Sequence, residues 1–160
     1  MNFEKKVLCE MDHCYAVAAI EQGGRLKYLF AAENDNPCYA YDAQTFEKST
    51  VWEHPGGTMS MIHVPGTDGE FLAVQNFKSG FMAQDTTIVW AKPTKTGWDV
   101  KTILKHPFIH RCDILTAGSV NYFLACTLET TKKDKEDWSD PGKPWAGRLQ
   151  EKPVSDKKLT

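Results

Sequence analysis

Four of the five histidines in this 160-residue chain stand just ahead of apolar runs, and the fifth lies inside one. His13 precedes Tyr15-Ala16-Val17-Ala18-Ala19-Ile20, and His54 precedes Met59-Ser60-Met61-Ile62-His63-Val64. His106 and His110 precede Cys112-Asp113-Ile114-Leu115. Imidazoles gathered at one point could pass protons near neutral pH or hold a metal. Arg111 offers a planar guanidinium to a carboxylate or phosphate, and Asp113 shares its face by the strand period of two. The plainer alternative is that Arg111 and Asp113 simply pair, while His-Pro shapes a turn. Trp138 and Trp145 bracket a polar Pro-Gly turn, which suits either a sugar-stacking platform or a loop anchored on its own strands. The candidate ligand-binding residues are His13, His110, Arg111, Asp113 and Trp138.

Other chemistry is poorly supplied. Cys9-x3-His13-Cys14 and His110-x-Cys112 lack the paired Cys-x2-Cys spacing of structural zinc sites, so neither metal nor cofactor is expected. Asp134, Glu136, Asp137 and Asp140 lack the calcium-loop arrangement and, mixed with Lys132, Lys133 and Lys135, read as a solvated loop. Nucleophile-elbow, phosphate-loop, dinucleotide and zinc-protease signatures are missing. An active site assembled from several segments remains open.

The elements that must position these residues read as short strands. Three segments share two large apolar residues followed by alanine: Tyr28-Leu29-Phe30-Ala31, Glu70-Phe71-Leu72-Ala73 and Tyr122-Phe123-Leu124-Ala125. Their alanines are 42 and then 52 residues apart. Ahead of each lies a turn signal: Gly23-Gly24, Gly66-Thr67-Asp68-Gly69 and Gly118. Trp52-Glu53-His54-Pro55 and Leu104-Lys105-His106-Pro107 are a second pair of markers, also 52 residues apart. Residues 37–42, 49–52, 86–91 and 98–104 supply further strands, and no window sustains a helical period.

Four strands in a unit of 40–50 residues is the pattern of a β-propeller blade. The chain resembles the broad propeller class, and loosely those with FG-GAP-like or VCBS-like repeats. It departs from many FG-GAP repeats in lacking the Asp-rich calcium loop. The resemblance implies an all-β fold of about three blades, roughly 13–55, 58–107 and 110–160, in an incomplete ring. A β-sandwich of about eleven strands is the alternative. Residues 4–10 resemble a fourth strand without its first three, and the third unit lacks a clear fourth. Two outcomes follow: further blades in a longer chain, or two copies that each donate a first strand. The resemblance also places the histidines at the mouth of a central channel.

With 41% hydrophobic and 25% charged residues the chain has the makings of a folded core. A net charge of −2 gives no basic field for nucleic acid, and no apolar run reaches membrane-span length. The five cysteines, odd in number and without a secretion signal, are expected to pack as small core residues in a cytoplasmic protein. The functional expectation is a module that binds a small polar ligand, plausibly a carbohydrate. A sugar-active hydrolase or lyase with a histidine acid–base, and a protein-interaction scaffold, are the rivals.

Overall fold

The computed structural model describes residues 4–78 and 82–149, and these form strands without any helix. Naming the strands in chain order, β1 (Cys14–Gln22), β2 (Arg25–Ala32), β3 (Cys38–Asp42) and β4 (Lys48–Trp52) make the first antiparallel sheet. The second holds β5 (Ser60–His63), β6 (Phe71–Gln75), β7 (Thr87–Pro93) and β8 (Trp98–Lys105). The third holds β9 (Ile109–Ala117), β10 (Val120–Thr127) and β11 (Pro144–Arg148). Each sheet is a simple meander in chain order, and none closes on itself.

Local chemistry explains the meanders. Gln22 pairs with Arg25 across a two-residue turn in which Gly23 and Gly24 both take positive φ, the backbone that matches strand twist in a tight hairpin. β-branched and aromatic residues fill the strands that follow.

The sheets stack face to face. Leu29 and Ala31 of β2 and Ala40 of β3 meet Phe71 and Ala73 of β6 and Ala91 of β7 in one core. Phe71 is fully buried, its ring 6.0 Å from Trp52 and 5.5 Å from Trp98. The opposite face of the second sheet, with Leu72, Val74 and Ile88, meets Ala125, Phe123 and Ile114 in a second core. Among the described residues the second sheet is thus covered by another sheet on both sides, and each outer sheet on one side. A layered sandwich shares this stacking. The lateral contact of the first strands, β1 with β5 and β5 with β9, is the feature that blades around a common centre possess.

The two sequence spacings fare differently. Phe71 and Phe123, 52 residues apart, both point back toward the preceding sheet. Leu29 and Phe71, 42 apart, point toward each other across the same core. A 42-residue shift therefore does not superimpose the first two units, because an offset of one residue turns every side chain to the other face.

Residues 54–58 strap the first sheet to the second. The Gly57 N–H donates to the Asn34 carbonyl and Thr58 N–H to Ala32 O at 3.1 Å. Gly56 O and Gly57 O accept from Asn76 N–H and Phe77 N–H at 2.9 and 3.2 Å. A Cβ at Gly56 would collide with the Asn34 carbonyl, and Gly57 sits at φ +65°, so glycine is needed at both. The sequence reading of this segment as a strand lead-in agrees with its place before β5.

Residues 4–10 form no strand. They cross the outward face of the first sheet: Lys6 Nζ lies 4.0 Å from the Phe46 ring centre, and Cys9 lies against Tyr41. Tyr41 is buried, and that desolvation, together with the Cys9 thiol beside it, pushes its phenol pKa up. Residues 150–160, the end of the expected third unit, fall outside the described residues.

Candidate functional site

The first-strand edge of the stack is built by two β-bulges. In β1 the pairing passes from Cys14↔Ala32 to Ala16↔Ala31, leaving Tyr15 as the extra residue. In β9 it passes from Ile109↔Thr127 to Arg111↔Cys126, leaving His110 as the extra one. A bulge bends its strand and re-aims the side chains beside it. Here it turns Arg111 around the edge of its own sheet. The Arg111 Nη1 donates to Met59 O at 2.5 Å and Nη2 to the Tyr15 hydroxyl at 3.2 Å. The guanidinium carbon lies 5.3 Å from the Tyr15 ring centre, within cation–π range. One side chain of the third sheet thus reaches the residue that leads into β5 and the first strand of the first sheet.

Ser60, next to Met59, joins the same seam. Its hydroxyl donates to Cys112 O at 3.2 Å and accepts from Cys112 N–H at 3.4 Å. Burial pushes the Cys112 thiol up to about 11, which leaves it protonated and inert at neutral pH.

The other expected site residues go to separate partners. His13, at φ 49°, pairs its Nδ1 with Asp12 at 2.8 Å and is solvent-exposed. Its carbonyl accepts from Glu33 N–H at 2.9 Å, so the residue also fixes the start of β1. His110 packs its ring edge-on against Phe77, 5.0 Å between centres. Desolvation, then the neighbouring Arg111 charge, holds its pKa below the usual imidazole value. Asp113 is exposed and accepts from Ile114 N–H at 2.7 Å. The plain pairing of Arg111 with Asp113 is replaced by the Met59 and Tyr15 contacts. His54 pairs with Asp35 at 3.1 Å, and His106 bonds Pro107 O at 2.9 Å while meeting the Trp145 ring.

Trp138 stands 53% exposed, with Lys132 Nζ 3.6 Å from its ring centre. The loop that carries it is solvated at Lys133, Asp134, Lys135 and Glu136, as expected, and departs from that reading at Lys132. Lys132 and Glu129 are buried together as an ion pair at 2.8 Å, and Lys132 also donates to Asp137 O at 2.7 Å. Three short-range bonds onto Asp137 from Lys133, Ser139 N–H and Ser139 Oγ fold the acidic stretch onto itself. They hold the Asp137 carboxyl down at about 2. The cysteine expectation also needs correction. Cys38 is buried and Cys112 partly so, whereas Cys9 ahead of β1, Cys14 at its first residue and Cys126 on an outward face are exposed.

Among the described residues no three His, Cys, Asp or Glu side chains converge as metal ligands would. No helix there is long and apolar enough to cross a membrane. At the far end of the strands lies a shallow open depression of about 420 Å³, floored by Arg25, Asp42, Lys48 and Asp68. Arg25 and Asp42 already pair there at 2.8 Å, and Asp68 accepts from Gly23 N–H, so its charges serve the hairpin ends.

Sequence reasoning missed Tyr15 and the Met59 carbonyl. Tyr15 opens an unbroken apolar run, in which alternation does not say which residues face out. A backbone carbonyl carries no sequence signal at all.

Neither a protein-family model nor a curated protein matches the chain. The FG-GAP-like and VCBS-like resemblance therefore rests on pattern alone. Among solved structures, the PQQ-bound form of aldose sugar dehydrogenase from Streptomyces coelicolor is similar, at 18% identity and a TM-score of 0.49. The match covers 77% of this chain and 40% of that one. Likeness at that level bears on neither ligand nor chemistry.

Proposed function

We propose that the chain is a binding module whose first-strand edge takes a small polar ligand, with a carbohydrate as the class that fits best. The observation that supports this is the exposed Tyr15–Arg111 pair, drawn from two different sheets and held in a fixed relation. An aromatic face suits the apolar face of a sugar ring, and the remaining guanidinium N–H groups suit hydroxyl or carboxylate oxygens. Asp113, two residues from Arg111, adds an acceptor for sugar hydroxyls. On this reading the sheets are blades and the edge is the wall of a shared channel.

A histidine acid–base reading has less behind it. His110 packs against Phe77 and has a lowered pKa, from desolvation first and then from the Arg111 cation.

Calorimetric titration with glucose and glucuronate tests the proposal. Binding of one of them is expected, weakened about tenfold or more, or 1.4 kcal/mol, by Tyr15→Ala and by Arg111→Ala. Glucuronate should suffer more from Arg111→Ala. No binding of either sugar, or binding indifferent to both substitutions, overturns it.

A further inference from the structure

Among the described residues the stack ends in two faces of unlike kind that no further sheet covers. Outward on the first sheet lie Val17, 65% exposed, with Phe30 opposite it and Tyr39 opposite Phe30. Outward on the third lie Leu115, 57% exposed, with Tyr122 opposite it and Leu124 beside it. Leu124 stands 52 residues after Leu72, which is fully buried because another sheet covers it. Exposed apolar rows of this kind mark interaction surfaces. The strand edges make the same point independently. The third sheet ends at β11, whose outer edge has no partner among the described residues. Residues 4–10 touch the first sheet through Lys6 on Phe46 and Cys9 on Tyr41, have no ladder of their own, and leave Val7 70% exposed. Among the described residues there is therefore both an open edge and a strand-length segment outside any ladder, at opposite ends of the stack.

We infer that two copies of this chain close a ring of six sheets, the outward face of each third sheet packing on the first sheet of the other copy. Residues 4–10, already lying on that face, then pair with β11 of the second copy as its fourth strand. A second copy brings a strand-length segment to the β11 edge and a first-sheet face to the third-sheet face at once. Six sheets fall within the four to eight that closed propellers use, and closure removes both open edges. The contact is head-to-tail, so both interfaces of the pair are equivalent.

Light scattering after gel filtration tests this on the full 18.1 kDa chain. The expected mass is twice that value. Val17→Glu and Leu124→Arg, both at accessible positions, should each reduce it to one chain with an unchanged strand spectrum. A mixture of the two variants should recover dimer, because it keeps one intact interface. Proline at both Val7 and Leu8, where the single copy has no ladder to lose, should weaken association at least tenfold. A one-chain mass for the parent overturns the inference, as does an open ladder of larger species. A dimer broken by Val17→Glu and untouched by Leu124→Arg overturns it too, because that is a symmetric contact through the first sheet alone.

Discussion

β6 and β10 carry nearly the same words, Phe71-Leu72-Ala73 and Phe123-Leu124-Ala125, yet they live in different surroundings. All five residues of β6 are buried, whereas β10 is mostly half-exposed and only Ala125 and Thr127 are buried. The cause is position in the stack. The second sheet is packed on both faces and the third on one. Equal sequence therefore does not mean equal contribution to stability, since apolar area must be removed from water before it stabilises anything.

The largest expected consequence is at the phenylalanines. Phe71→Ala, which empties the space between Trp52 and Trp98, should cost about 4 kcal/mol, and Phe123→Ala about half of that. Denaturant midpoints of the two variants measure it, and equal costs would break the comparison. The leucines sharpen it. Leu72→Ala should cost about 3 kcal/mol and Leu124→Ala under about 1 kcal/mol in dilute solution. The Leu124 cost should grow with protein concentration where the outer face is covered by a second copy.

The smallest effect is a pH dependence at the seam between these two sheets. The folded-state pKa of His110 lies below its unfolded value, so the neutral ring is the one the fold favours. Its contribution to stability is present above the unfolded value of about 6.5 and is lost as pH falls through the lower folded value. Unfolding free energy measured from pH 7.5 to 5 should decline less steeply in His110→Phe than in the parent chain. Parallel slopes would remove His110 from the account.

Much of the fold was legible because it is written locally. The hairpin at Gly23-Gly24, the lead-in through His54-Pro55-Gly56-Gly57 and the strand β7 each announce themselves through turn chemistry or β-rich composition. The 52-residue spacing was legible for the same reason. The 42-residue spacing misled, because matching apolar words in a strand fixes identity but not which side of the sheet a residue faces. The site was legible in part: Arg111 was named, and its partners were not.

What the sequence determined by itself, then, is an all-β chain of short antiparallel strands, since alternation and two-residue turns act over neighbouring residues. Tertiary structure alone decided that Arg111 meets Tyr15, 96 residues away, rather than Asp113 two residues along. It also decided that Lys132 and Glu129 go inside a loop that composition assigned to solvent. Both outcomes depend on how whole sheets and loops approach one another. The bulged residues at 15 and 110 stand where the first of these contacts forms, and no local pattern records where such a bulge will fall.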